Sequence, residues 1–285
     1  MNGKSLPRVF AWPVLGLMAL IAVGLTLAAI NLSLKNDLLG EPGRYVWWQN
    51  YVRLFSDERF LNALKVSALW ELITVAGTMV CAILVAVFLF ERCERRVRNL
   101  LCVLFIIPVL MPRVSAAFIW KFMLDPLMGV LNYPIRLGLG ESIDFVGNPS
   151  LALGSVALVD IWQWSLFYAV VVLNLLSTLP KEPFEAARID RARTWEVYAY
   201  IVLPMLKTPL IGLAFVKAIE SLRSFDLIYV MTRGGPGIVT ETLDMYAFSQ
   251  AFMESRDVSY AAAMAVLMLL LTNIVFTLVW KWTRK

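Results

Sequence analysis

The ionisable side chains that fall inside apolar runs of this chain are Glu71, Arg113, Lys121, Asp160, Lys217, Glu220, Arg223 and Asp226. A charge at membrane depth is costly unless it meets a partner or a water-filled cavity. Lys217, Glu220 and Arg223 stand at i, i+3 and i+6 of one helix, so Glu220 can neutralise either cation. The group is either an internal ion pair or the lining of a solute path. Lys121, Arg113 and Asp226 have a third option, a place near the end of a run with the polar head reaching out. Asp160 leads a further set, Trp162, Gln163, Trp164, Tyr168 and Asn174. Amides offer paired donors and acceptors, and indoles offer flat apolar faces. That mixture suits the hydroxyl edges and C–H faces of a sugar. Interfacial tryptophans and a helix–helix hydrogen bond from Asn174 would account for the same residues differently.

Other chemistries are poorly supplied. The chain has no histidine, which removes the commonest general base and metal ligand. Its cysteines, Cys81, Cys93 and Cys102, form no metal-spaced cluster and imply no disulfide framework. The nucleotide-binding pattern G-x-x-x-x-G-K-[ST] is absent, so no ATP hydrolysis is expected of this chain.

The elements that must position these residues are membrane helices. Hydrophobic residues make up 60% of the 285, and only 16% are charged, against about a quarter in soluble domains. Apolar runs occupy about 10–34, 63–90, 100–124, 151–179, 207–228 and 258–280, which is an all-α polytopic protein of six spans. The first run exceeds the usual core of a cleaved signal, so a retained helix is expected. Pro108 and Pro112 predict a kink or break in the third. Arg92, Arg95, Arg96 and Arg98, the 181–207 loop and the two termini (Lys4, Arg8, Lys281, Arg284, Lys285) carry most of the cations. By the positive-inside rule these are cytoplasmic, and the net charge of +5 is no nucleic-acid footprint. Neither a repeat nor a soluble domain is evident, so residues 1–285 read as a single membrane domain.

Between the fourth and fifth spans lies a polar stretch, 183–204. Pro183 suits a first helical turn, and Glu185 suits the positive end of the helix dipole. Thr194 is expected to cap a second short helix and Pro204 to limit it. Trp195, Tyr198, Ala199 and Val202 would share one face, with Trp195 and Tyr198 anchoring a hairpin to the membrane domain.

Glu185-Ala186-Ala187, Asp190, Ala192, Ile201 and Leu203-Pro204 resemble the EAA loop of binding-protein-dependent ABC importer permeases. Arg191 stands where that family usually has glycine, so the turn is expected to differ, or the first helix to run on. A second likeness is Phe225-Asp226-Leu227-Ile228-Tyr229, Thr232, Gly234-Gly235-Pro236 and Thr240, with Tyr246, Phe252 and Tyr260-Ala261-Ala262-Ala263 beyond. It is similar to sugar importer permeases of the maltose and glycerol-phosphate type, as are Asn50-Tyr51 to Phe60 and Asp160 to Trp164.

The resemblance implies one of two permease subunits of a type I importer in a bacterial cytoplasmic membrane. Two ATP-binding subunits would hold ATP and Mg, this chain would bind no cofactor, and an extracytoplasmic binding protein would deliver a sugar or related solute. Glu185, Ala186, Ala187, Arg188, Asp190 and Arg191 would contact the ATPase. Gly234, Gly235 and Pro236 would meet the binding protein. Trp162, Gln163, Trp164, Tyr168, Asn174, Glu220, Arg223 and Asp226 would line the path. An ion-gradient-driven transporter acting alone is the alternative; it would use the buried carboxylates but not the hairpin.

Overall fold

A computed structural model describes residues 6–283, and the side chains of all of these except 6–11, 139, 188, 278–280 and 282–283. The terminal cations Lys4, Arg8, Arg284 and Lys285 lie outside the described side chains. Among the described residues there are helices, loops and isolated β-bridges, with no strand. Five helices among the described residues are long and apolar enough to cross a membrane: 12–33, 58–92, 152–177, 194–221 and 258–277. A sixth span arises if the pair 95–110 and 113–123, bent by 95°, counts as one. The break falls at Met111-Pro112, because Pro112 cannot donate to the preceding turn.

The chain falls into two compact units. The first comprises α1 (Leu6–Ser33), α2 (Gln49–Ser56), the opening turn of α3 (Glu58–Arg92), and the stretch from Leu243 to Val275. Its polar centre joins segments that are far apart in sequence. The Asp57 carboxylate accepts hydrogen bonds from the hydroxyls of Tyr246 and Tyr260, each at 2.6 Å, and from the backbone N–H of Arg59. Arg53 reaches Asp257 at 2.8 Å and lies over the Tyr260 ring; Arg59 pairs with Glu254 at 2.7 Å. The Asn50 amide donates to the carbonyls of Ser33 and Lys35 and so closes the end of α1.

These contacts set a pH dependence. Burial pushes the Asp57 carboxyl up, but the two tyrosine hydroxyls and the N–H groups of Arg59 and Phe60 outweigh it and hold it below its ordinary value. The Arg59 guanidinium likewise holds Glu254 low against burial. A folded-state pKa below the unfolded one gives stability that is present above the ordinary carboxylate range and lost as pH falls through the depressed value. The unfolding midpoint in detergent should be flat from about pH 7 to about pH 5 and fall below about pH 4. Asp57→Asn should flatten part of that fall. An unchanged wild-type midpoint down to about pH 3 would contradict the assignment.

The second unit is built on α7 (Ala152–Ser177), the most buried of the long helices, with Leu158 and Asn174 left exposed. Against it pack α4 (Arg95–Leu110), α5 (Arg113–Met123), α10 (Leu203–Ser221) and α11 (Phe225–Met231). α6 (Asn132–Leu139) follows α5. α3 meets α7 closely at Gly77, where any Cβ would strike Ile161. Ala86, Leu89, Val172, Leu173, Leu176, Val202 and Leu206 form one core cluster. The fifth span differs from expectation at both ends. It stops at Ser221 rather than near Ile228, with α11 as a separate helix, and it begins inside the hairpin.

Candidate functional site: the 182–202 hairpin and the buried charge cluster

The hairpin is built from α8 (Glu182–Ile189), α9 (Thr194–Val197) and a wide π-turn (Tyr198–Val202) that runs into α10. Glu182 and Glu185 sit in the first turn of α8, where the helix dipole favours them. α8 does not run on. Arg191 takes a left-handed conformation, φ 52°, and the N–H of Ala192 returns to the carbonyl of Ala187 at 3.0 Å. This is the backbone a glycine adopts at a helix C-terminus, so the arginine keeps the glycine turn at a cost. Arg191→Gly should therefore stabilise the chain by about 0.5–1 kcal/mol. The check is a higher unfolding midpoint in detergent; a lower one would mean that the arginine side chain supplies something the turn needs.

Three other expectations for the hairpin are corrected. Arg193, not Thr194, takes the N-cap position, its N–H donating to the Glu196 carboxylate at 2.6 Å. Pro204 does not limit the helix. The π-turn bonds the N–H of Leu203 back to the carbonyl of Tyr198, so the chain widens and passes Pro204 unbroken from Thr194 to Ser221. Trp195 is no anchor: it is 56% exposed beside Tyr200, itself 71% exposed. Tyr198 does anchor. Its ring packs with Val197 against the core cluster, and its hydroxyl donates to Glu91 at 2.6 Å.

Of the predicted contact residues, Glu185, Ala186, Asp190 and Arg191 are exposed, as is Ile189 at 83%. Ala187 turns inward. The Arg188 side chain lies outside the described residues. Beside the hairpin opens a cavity of about 1240 Å³, lined among others by Arg95, Arg98, Lys181 and Asn174.

The intramembrane charges form an internal network. Lys217, fully buried, donates to Asp160 at 2.6 Å and to Glu220 at 2.7 Å. Arg113 pairs with the other Asp160 oxygen, lies 3.1 Å from Glu220, and donates to the carbonyl of Arg223. Two cations and two carboxylates thus balance across α5, α7 and α10. Arg223 itself, predicted as the third charge of the row, and Asp226 are exposed instead.

The network also explains the helix breaks. A helix ending inside a membrane leaves carbonyls that need donors. Arg113 takes the Arg223 carbonyl, and the buried indole of Trp70 takes that of Ser221 at 3.1 Å. Gln163, 1% exposed, donates to the carbonyls of Pro108 and Met111 at the α4–α5 break. Lys121 donates to the carbonyl of Val230 near the end of α11. Pairing of these side chains with broken helix ends was not legible in the sequence; prolines beside buried amides were the available signal. Trp164 and Tyr168 are packed together and Trp162 meets Trp120 edge-on, while Asn174 bonds its own helix at Val170.

The Gly234–Pro236 turn is tightly tied. Thr240, fully buried, bonds Thr232 and the Gly235 carbonyl, each at 2.7 Å. Gly234 is buried, and Gly235 and Pro236 are half-buried at the rim of a cavity of about 360 Å³ shared with Lys121, Asp125 and Asp144.

Three comparisons bear on this arrangement. Residues 65–284 match the family model described as binding-protein-dependent transport system inner membrane component. The trehalose/maltose transport system permease protein MalF of Thermococcus litoralis is 29% identical, over 94% of this chain and 90% of its own length. The sulfoquinovosyl glycerol transport system permease protein SmoG of Agrobacterium fabrum is 31% identical, over 94% and 92% respectively. A crystal structure of a bacterial ABC transporter that imports the acidic polysaccharide alginate contains a chain of the same fold. It superposes with TM-score 0.83 at 17% identity, covering 99% of this chain and 96% of that one.

Proposed function

This chain belongs to the family of binding-protein-dependent transport system inner membrane components, and on that premise we propose that it is the permease subunit of an ATP-driven importer for a sugar or related solute. The relatives over nearly its whole length are named as permeases for trehalose/maltose and sulfoquinovosyl glycerol. The observation that carries the coupling role is the hairpin. It is a capped, partly apolar projection whose exposed tip (Ala186, Ile189, Asp190, Arg191) is unlike a solvated loop, and its base is locked into the helix core. An ATPase subunit receives that tip. Glu185 supplies the leading polar contact, with Arg188 beside it.

Two such ATP-binding subunits carry ATP and Mg; this chain binds neither and hydrolyses nothing. A second permease completes the path. The binding protein delivers solute at the outer face; a chain of the same fold belongs to a bacterial alginate ABC transporter in complex with an alginate pentasaccharide-bound periplasmic protein. Gly235 and Pro236 sit on that face, with Gly234 supporting them. The distribution of cations supports a cytoplasmic hairpin and cytoplasmic termini; on this reading the membrane is a bacterial inner membrane and residues 1–285 act as one transmembrane domain. Arg223, Asp226 and Asn174 are the path residues open to solute. Trp162, Gln163, Trp164, Tyr168 and Glu220 shape the path from behind.

Purification of the chain expressed with its partners should bring down an ATPase, and reconstituted uptake should need ATP and the binding protein. Uptake by the chain alone, abolished by an uncoupler, would overturn this function. A thermal-shift screen of the binding protein against sugars, polyols and acidic sugars identifies the solute class.

A further inference from the structure

The hairpin is joined covalently to α7 on one side and to α10 on the other, but α3 has no such link. α3 can follow the hairpin only through contacts. We propose that the hydrogen bond from Tyr198 to Glu91 is the positioning contact that makes α3 a third mechanical output of the hairpin; this rests on the coupling role given above.

The geometry carries the proposal in three steps. Glu91 lies in the last turn of α3, and Tyr198 is the residue at which α9 gives way to the π-turn. The 2.6 Å bond between them spans 107 residues of sequence. It therefore attaches α3 at the point where the helix geometry of the hairpin changes. Next, the bond borders the cavity of about 1240 Å³ that Phe90, Glu91 and Tyr198 help to line. One side of the contact thus lacks packing that would otherwise stop the two walls from slipping. A hydroxyl donating to a carboxylate is a strong, directional tie for such a place.

Finally, α3 and α10 are pinned again at the other end of α10. Thr74 meets the Ser221 hydroxyl at 3.0 Å, and Trp70 donates to the Ser221 carbonyl. The two pins are about 26 Å apart along α3 at the usual helical rise, and on the other side the π-turn and the whole of α10 lie between Tyr198 and Ser221. Two antiparallel rods pinned at both ends cannot slide past each other independently. A displacement of the hairpin is then imposed on α3 as well as on α10, and through Lys217 on the α7 charge cluster.

The test uses the full complex in proteoliposomes, with Tyr198→Phe, Glu91→Met and the double variant. Phe lacks the hydroxyl donor and Met lacks the carboxylate acceptor at similar side-chain length, whereas Gln would keep an acceptor. Solute moved per ATP hydrolysed should fall roughly threefold in each single variant and no further in the double, with the ATPase subunit retained at the wild-type ratio. An unchanged ratio overturns the proposal, as does a roughly ninefold, multiplicative fall in the double variant. Loss of the ATPase from the variants alone would overturn it too, by assigning both residues to docking. If wild-type chain retains no ATPase, the coupling role fails first, and the tie with it.

Discussion

Asp160→Asn lowers the stability of the folded chain by about 3 kcal/mol, the lower end of the cost of breaking a buried ion pair. Asp160 is fully buried and holds Lys217 with one oxygen and Arg113 with the other. The substitution preserves shape but leaves Glu220 as the one carboxylate ion-paired with Lys217 and Arg113, so one buried cation loses its ion-pair partner. Lys217→Met added to Asp160→Asn restores the balance to one cation and one carboxylate, Arg113 and Glu220, 3.1 Å apart. The double variant should therefore recover much of the loss, because a neutral buried pair has no desolvation to offset. Thermal unfolding in detergent reads both. A single variant as stable as the wild type, or a double variant worse than the single, would show that the network does not hold the helices together. The same bookkeeping says what these charges are not. Having neutralised one another, Lys217, Arg113, Asp160 and Glu220 have little left to offer an anionic or cationic solute.

Glu185→Lys should lower uptake by the assembled transporter tenfold or more, roughly 1.4–2 kcal/mol of lost binding to the ATPase, while leaving the chain folded. Glu185 is exposed in the first turn of α8, so reversing its charge removes a favourable helix-dipole interaction of about 0.3–1 kcal/mol and little else within this subunit. At an interface the same reversal replaces an attraction by a repulsion, which is the larger effect. Co-purification of the ATPase and uptake in vesicles should fall together, and the unfolding midpoint of the chain should barely move. Normal uptake with normal ATPase retention would remove Glu185 from the contact. The comparison also separates the two halves of the hairpin, since Tyr198→Phe is expected to spoil coupling without loss of the ATPase.

The sequence by itself determined the membrane class, the approximate spans, the break near Pro112 and the position of the hairpin. These follow from hydropathy, helical period and the missing N–H of proline, all of which act within a few residues. The family resemblance also marked Arg191 as unusual, though not that it would adopt the glycine conformation. Only the tertiary structure decided which polar groups meet. Gln163 meets Pro108 and Met111, Arg113 meets Asp160 and Arg223, Asp57 meets Tyr246 and Tyr260, and Tyr198 meets Glu91. Periodicity had offered Trp195 as an anchor, yet packing buried Val202, half-buried Val197 and left Trp195 exposed. The physical reason is common to all of them. Where a helix stops inside an apolar medium its open carbonyls and charges must be satisfied, and the residue that satisfies them is whichever one the packing of distant helices brings within reach.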